Sequence, residues 1–71
     1  MNTAEIIKTA RARTGLSRKQ LADRSGVNQS VIWNIEQGKT NPRMDTMLAL
    51  MRAMDYDIVF KPKYKGGYYG D

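Results

Sequence analysis

Between Ser17 and Gly38 the chain reads SRKQLADRSGVNQSVIWNIEQG, a pattern of two short helices meeting at a sharp angle. Ser17 with Gln20 three residues later has capping-box spacing, so a helix opens here with the serine hydroxyl meeting an otherwise unpaired amide. That helix turns Leu21 and Ala22 inward. Gly26 stands where the chain must bend, and Ala22 is small enough for a crossing helix to pass close by. Asn28 suits the cap of the second helix. At helical periodicity, Val31, Ile32 and Ile35 share one side with Glu36 at its margin, while Gln29, Ser30, Trp33, Asn34 and Gln37 face the other way. Amides and a hydroxyl both donate and accept hydrogen bonds, which is what reading base edges in a major groove requires. The same residue types are also ordinary on a solvated helix face.

Outside this stretch the composition narrows the choice. Seventy-one residues make one small domain, near the lower limit for a core without staples. Without cysteine or histidine there is no disulfide framework, no thiolate site and no imidazole base, so neither a metal nor another cofactor is expected. Twelve Lys and Arg against seven Asp and Glu give a net charge of +5, which favours a polyanionic partner. Five of these cations (Lys8, Arg11, Arg13, Arg18, Lys19) lie between Ile6 and Ala22 with no acid among them. The longest apolar run, Met47 to Met51, is too short for a bilayer and no secretory segment opens the chain, so a cytoplasmic location is expected.

In chain order, Thr3 to Thr14 predicts a helix with Ile6, Ile7 and Ala10 on one stripe, ended by Gly15. Arg11 lies at the edge of that stripe, where its stem can pack and its guanidinium can seek Glu36. Arg18 and Lys19 fall in the first turn of the next helix, against its dipole, a cost that a nearby phosphate offsets. Lys39 to Arg43 is a polar loop with two cations. From Met44 to Met54, Met44, Met47, Leu48, Leu50, Met51 and Met54 form a broad apolar stripe, read as core in preference to a pliable partner groove.

Tyr56 to Lys61 alternates Tyr56, Ile58 and Phe60 against Asp57, Val59 and Lys61, which is strand periodicity. The chain contains no second strand to pair with it, so the same strand of another copy, about a two-fold axis, is the expected partner. The competing arrangement is an extended segment lying over the molecule's own core. The expected organisation is therefore a helical domain over residues 1–55, a dimerisation strand over 56–62 and a flexible tail over 63–71. Carboxylates are scattered, with Asp55 and Asp57 read as turn residues, so no enzyme is expected.

The segment from Ile6 to Met54 resembles the lambda repressor-like, Cro/C1-type (XRE) helix-turn-helix family. Arg11, Gly15-Leu16-Ser17, Gln20-Leu21-Ala22, Gly26-Val27, Ile32, Ile35-Glu36, Gly38-Lys39 and Pro42 carry the resemblance. It implies an all-α domain of four to five helices whose third helix enters the major groove of double-stranded DNA. It places base reading on Gln29, Ser30 and Asn34, with Trp33 on the same face. Phosphate contacts are placed on Arg18, Gln37, Lys39 and Thr40, beside which Lys19, Asn28 and Arg43 are expected to contribute. An Arg-to-Glu pair between first and third helices lands on Arg11 and Glu36. Two departures stand out: a short C-terminal β-strand (Tyr56, Ile58, Phe60) where many members have a fifth helix, as in an antitoxin branch, and the exposed Trp33, an indole that is costly there unless it packs on sugar, a thymine methyl or the stem of a neighbour such as Arg18. The expected function is a homodimeric repressor of a palindromic operator; the alternative is an antitoxin or other interaction module that neutralises a partner such as a toxin.

Overall fold

The computed structural model describes residues 2–63. It holds four helices: α1 (Thr3–Thr14), α2 (Arg18–Ser25), α3 (Gln29–Glu36) and α4 (Met44–Ala53). The fold is all-α, as the sequence predicts.

Short helices in so small a chain depend on how their ends are closed, because each leaves backbone groups without helical partners. Asn2 accepts from the Glu5 amide at 2.9 Å to open α1. At α2 the capping box is complete: the Gln20 amide donates to Ser17 Oγ at 3.0 Å, and the Ser17 amide donates back to Gln20 Oε1 at 2.9 Å. Asn28 Oδ1 accepts from the Ser30 amide at 2.8 Å to open α3. Gly26 follows α2 at φ 77°, a left-handed conformation that any side chain would strain.

Ile7, Ala10, Leu21, Ile32, Ile35, Leu50, Met51 and Met54 form the core. Helix α3 packs on α1 and α2, and α4 closes the bundle against the same two helices. The buried stripe of α3 differs from the expected one. Val31 is 40% exposed, whereas Glu36 is only 2% exposed. Positions 32, 35 and 36 are the i, i+3, i+4 set on this short helix, and Glu36 is drawn in because a cation waits beneath it. On α4, Met44 is 54% exposed rather than part of the stripe, since the first residue of the helix overhangs the bundle. Met47, half-buried against the core, continues the stripe to Leu50, Met51 and Met54.

After α4, Asp55 takes a left-handed φ of 63°. The Asp55 amide donates to the Arg52 carbonyl and the Tyr56 amide to the Met51 carbonyl, the paired bonds of a Schellman turn. This turn folds the chain back so that Tyr56 and Ile58 pack against the core. The expected strand over 56–62 is absent: no strand forms among the described residues. A strand needs a neighbour for its amides and carbonyls, and the described residues of a single copy supply none. The C-terminal tail expected over 63–71 lies, beyond Lys63, outside the described residues. No helix among the described residues is long and apolar enough to cross a membrane.

Candidate nucleic-acid interface

The outer face of α3 sits directly above a buried ionic knot. Glu36, with its side chain fully inaccessible, receives Arg11 Nε on Oε2 at 2.7 Å and Arg11 Nη2 on Oε1 at 2.9 Å. Arg11 Nη1 donates to the Leu16 carbonyl at 3.1 Å, so every nitrogen of that guanidinium is engaged. This fork joins α1 to α3 in the planar bidentate geometry that arginine favours. A second cation arrives from α2: Arg18 Nε donates to Glu36 Oε1 at 2.9 Å. Burial pushes the Glu36 carboxyl upward, but hydrogen bonds from Arg11 and Arg18, with their charge, outweigh it and hold the group below its ordinary range. The same hydrogen bond raises Arg11 against the smaller effect of its burial.

Above the knot, Arg18, Asn28, Gln29, Ser30, Trp33 and Asn34 line one open groove. The sequence places Gln29, Ser30, Trp33 and Asn34 on one face together with Gln37, which does not line the groove, and the fold adds Asn28 from the helix cap and Arg18 from α2. Asn28, Gln29 and Ser30 are exposed and Asn34 is half-buried. The side-chain amides of Gln29 and Asn34 offer paired donors and acceptors to a base edge, whereas Asn28 Oδ1 is taken up by the helix cap. The Ser30 hydroxyl donates to Asn28 Oδ1 at 2.7 Å, so its hydrogen is committed to the helix cap and its oxygen remains as an acceptor.

Trp33 is 40% exposed, and the Lys39 ammonium lies 4.6 Å from the centre of its ring. A cation at this distance is attracted to the indole face. The loop backbone sets this pairing up. Gly38 adopts φ 74°, its amide donating to the Ile35 carbonyl and the Lys39 amide to the Asn34 carbonyl. That second Schellman turn brings Lys39 back over the helix.

The remaining expected phosphate contacts are dispersed. Gln37, Lys39, Thr40 and Arg43 are exposed along the loop after α3. Lys19 Nζ lies 3.6 Å from Asp23 and Arg43 Nε 3.8 Å from Asp45, both as exposed surface pairs worth little. Of the expected dimerisation residues, Tyr56 and Ile58 pack on their own core, whereas Phe60 is 77% exposed. Among the described residues, no group of acidic side chains is arranged to hold a metal.

Reading the sequence alone misses two features. Arg18 is a second donor to Glu36, and Lys39 covers Trp33. The first is signalled only by two arginines near one inward carboxylate. The second depends on a left-handed turn at Gly38, whose direction periodicity does not encode.

Residues 7–61 match the helix-turn-helix family. The chain is 41% identical over 54 residues to an uncharacterized HTH-type transcriptional regulator of Haemophilus influenzae, covering 76% of this chain and 55% of that protein. It is 37% identical over 57 residues to another uncharacterized HTH-type transcriptional regulator, from Sinorhizobium fredii, covering 80% of this chain and 29% of that one. It thus spans about half the length of the first relative and less than a third of the second. The four-helix order, the Arg11–Glu36 bridge and the family match together place this chain in the Cro/C1-type, lambda repressor-like helix-turn-helix family.

Proposed function

We propose that this chain is a sequence-specific DNA-binding transcriptional regulator, acting as a homodimeric repressor of a palindromic operator. The observation that carries the reading is the groove of Arg18, Asn28, Gln29, Ser30, Trp33 and Asn34, raised on a helix whose underside is fully buried. In this reading Gln29, Ser30 and Asn34 select bases, and Trp33 packs on sugar or a thymine methyl. Arg18, Lys19, Asn28, Gln37, Lys39, Thr40 and Arg43 grip phosphates, which position the helix without reading sequence. The net charge of +5 supports the approach to a polyanion.

A homodimer fits a two-fold symmetric operator: two α3 helices roughly 34 Å apart would read half-sites one turn apart. Repression would need no chemistry, because an occupied operator excludes polymerase. Selecting bound sequences from random duplex DNA tests the reading, with a two-fold symmetric consensus as the expected result. Asn34→Ala is expected to relax base preference at one position by about 1 to 3 kcal/mol. An unchanged selection profile would sink the assignment of α3.

A second reading, capture of a partner protein such as a toxin, has one observation in its favour: Val59 and Phe60 are 70% and 77% exposed side by side. The same pair serves a dimer in which this segment joins its counterpart. Phe60→Lys separates the cases in sedimentation, since it leaves the core untouched and abolishes a dimer built on this edge.

A further inference from the structure

Glu36 carries one negative charge, and Arg11 alone matches it with two hydrogen bonds. Arg18 is therefore surplus to the neutrality of the knot. It also occupies the first position of α2, where a cation opposes the helix dipole. Its side chain is 36% exposed and only its Nε–H is engaged among the described residues. The guanidinium is a rigid planar fork, so holding its Nε–H restricts the directions open to the Nη groups. Arg18 also lines the groove beside Asn28 and Gln29.

From this arrangement we infer that Glu36 is a positioning residue for DNA binding, holding Arg18 by its Nε so that the Nη donors stand ready for a backbone phosphate. The inference rests on the DNA-binding reading above and adds a role for a residue that DNA never touches. A preset arginine gives up little side-chain freedom on binding, whereas a free one must be ordered at that moment. Glu36 thereby serves the fold through Arg11 and the interface through Arg18.

The charge of Glu36 gives the test its sign. An acid close to the groove repels DNA, so its neutralisation tightens binding if only net charge matters. Positioning predicts the opposite. An amide at this place has one acceptor oxygen and no charge: with that oxygen at the Oε2 site its NH2 group faces Arg18, and with it at the Oε1 site Arg18 keeps only a weaker, uncharged bond shared with Arg11.

Wild type, Arg18→Ala, Arg18→Lys, Glu36→Gln and the double variant Glu36→Gln/Arg18→Ala are titrated with a duplex recovered by wild-type selection, across a range of salt. Arg18→Ala is expected to weaken binding by about tenfold and to lower the slope of log K against log salt by about 1. Arg18→Lys, which keeps the charge and loses the fork, is expected to be as weak as Arg18→Ala. Glu36→Gln is expected to weaken the wild type severalfold and to change nothing in the Arg18→Ala background.

Wild-type affinity in Arg18→Lys overturns the inference, as does a Glu36→Gln effect that persists without Arg18 or that tightens binding. Both Arg18 variants leave the Arg11–Glu36 fork in place, so wild-type affinity in Arg18→Lys overturns the inference even if Glu36→Gln does not fold. Failure of the wild type to select any duplex removes the DNA-binding reading itself, before any Arg18 variant is measured.

Discussion

Helix α3 and the segment from Asp55 to Lys63 carry equal apolar content: Val31, Ile32, Trp33 and Ile35 in one, Tyr56, Ile58, Val59 and Phe60 in the other. Their fates differ. Helix α3 satisfies its backbone internally, has a side-chain cap at its start and a Schellman turn at its end, and buries one narrow stripe. The later segment carries a clean alternation yet forms no strand, and its two halves part company, Tyr56 and Ile58 inward, Val59 and Phe60 outward. A helix completes its hydrogen bonds within its own segment, whereas a strand borrows them from a neighbour. A pattern of period 3.6 can therefore be realised by one segment alone, whereas a pattern of period 2 needs a neighbouring strand.

This contrast can be broken most forcefully at Ile32. It is fully buried at the centre of the α3 stripe, and Ile32→Ala is expected to cost about 2 to 5 kcal/mol. Small domains are only marginally stable, so circular dichroism of this variant should show little folded protein at ambient temperature. A near-native melt would mean that α3 does not depend on its buried side.

Next in size is the ionic knot. Glu36→Ala leaves Arg11 without its partner and is expected to cost about 3 kcal/mol in urea unfolding at neutral pH, the low end for breaking a buried pair because the Arg11 side chain is 21% exposed. The loss has a defined pH window. Folding holds the Glu36 carboxyl below its ordinary value of 4.5, so the unfolded chain takes up the proton first as the pH falls. The contribution is complete above that value and is lost as the pH drops through the lower folded value. The stability gap between wild type and Glu36→Ala should therefore narrow in acid; a gap that widens there would contradict the knot.

The smallest effect is expected at the other end of the comparison. Phe60→Ala, at a site 77% exposed, should change the stability of a single copy by no more than about 0.5 kcal/mol. A larger loss that grows with protein concentration would show that the segment finds a neighbour after all, sharpening the distinction between self-sufficient and borrowed structure.

Much of the scaffold beneath the candidate interface is legible from residue types alone. Ser17 with Gln20 gives the start of α2, Asn28 gives the start of α3, and the edge positions of Arg11 and Glu36 on their stripes point to their bridge. Each of these is a short-range rule or a consequence of helical period. Other details depended on distance. That Glu36 lies deeper than Val31, and that Arg18 reaches it from another helix, follows from where α1 and α2 deliver their guanidiniums. That Lys39 lies over Trp33 follows from the hand of the turn at Gly38.

By itself, the order of residues determined four amphipathic segments, the caps that open the second and third, and a polar outer face on the third, because propensity, capping and periodicity act within a few residues along the chain. Only the tertiary structure decided that two arginines converge on one carboxylate, that one of them opens onto the groove, and that the alternating segment divides between core and solvent. Those outcomes depend on the relative placement of elements far apart in sequence, and close packing fixes that placement only once every helix is in position.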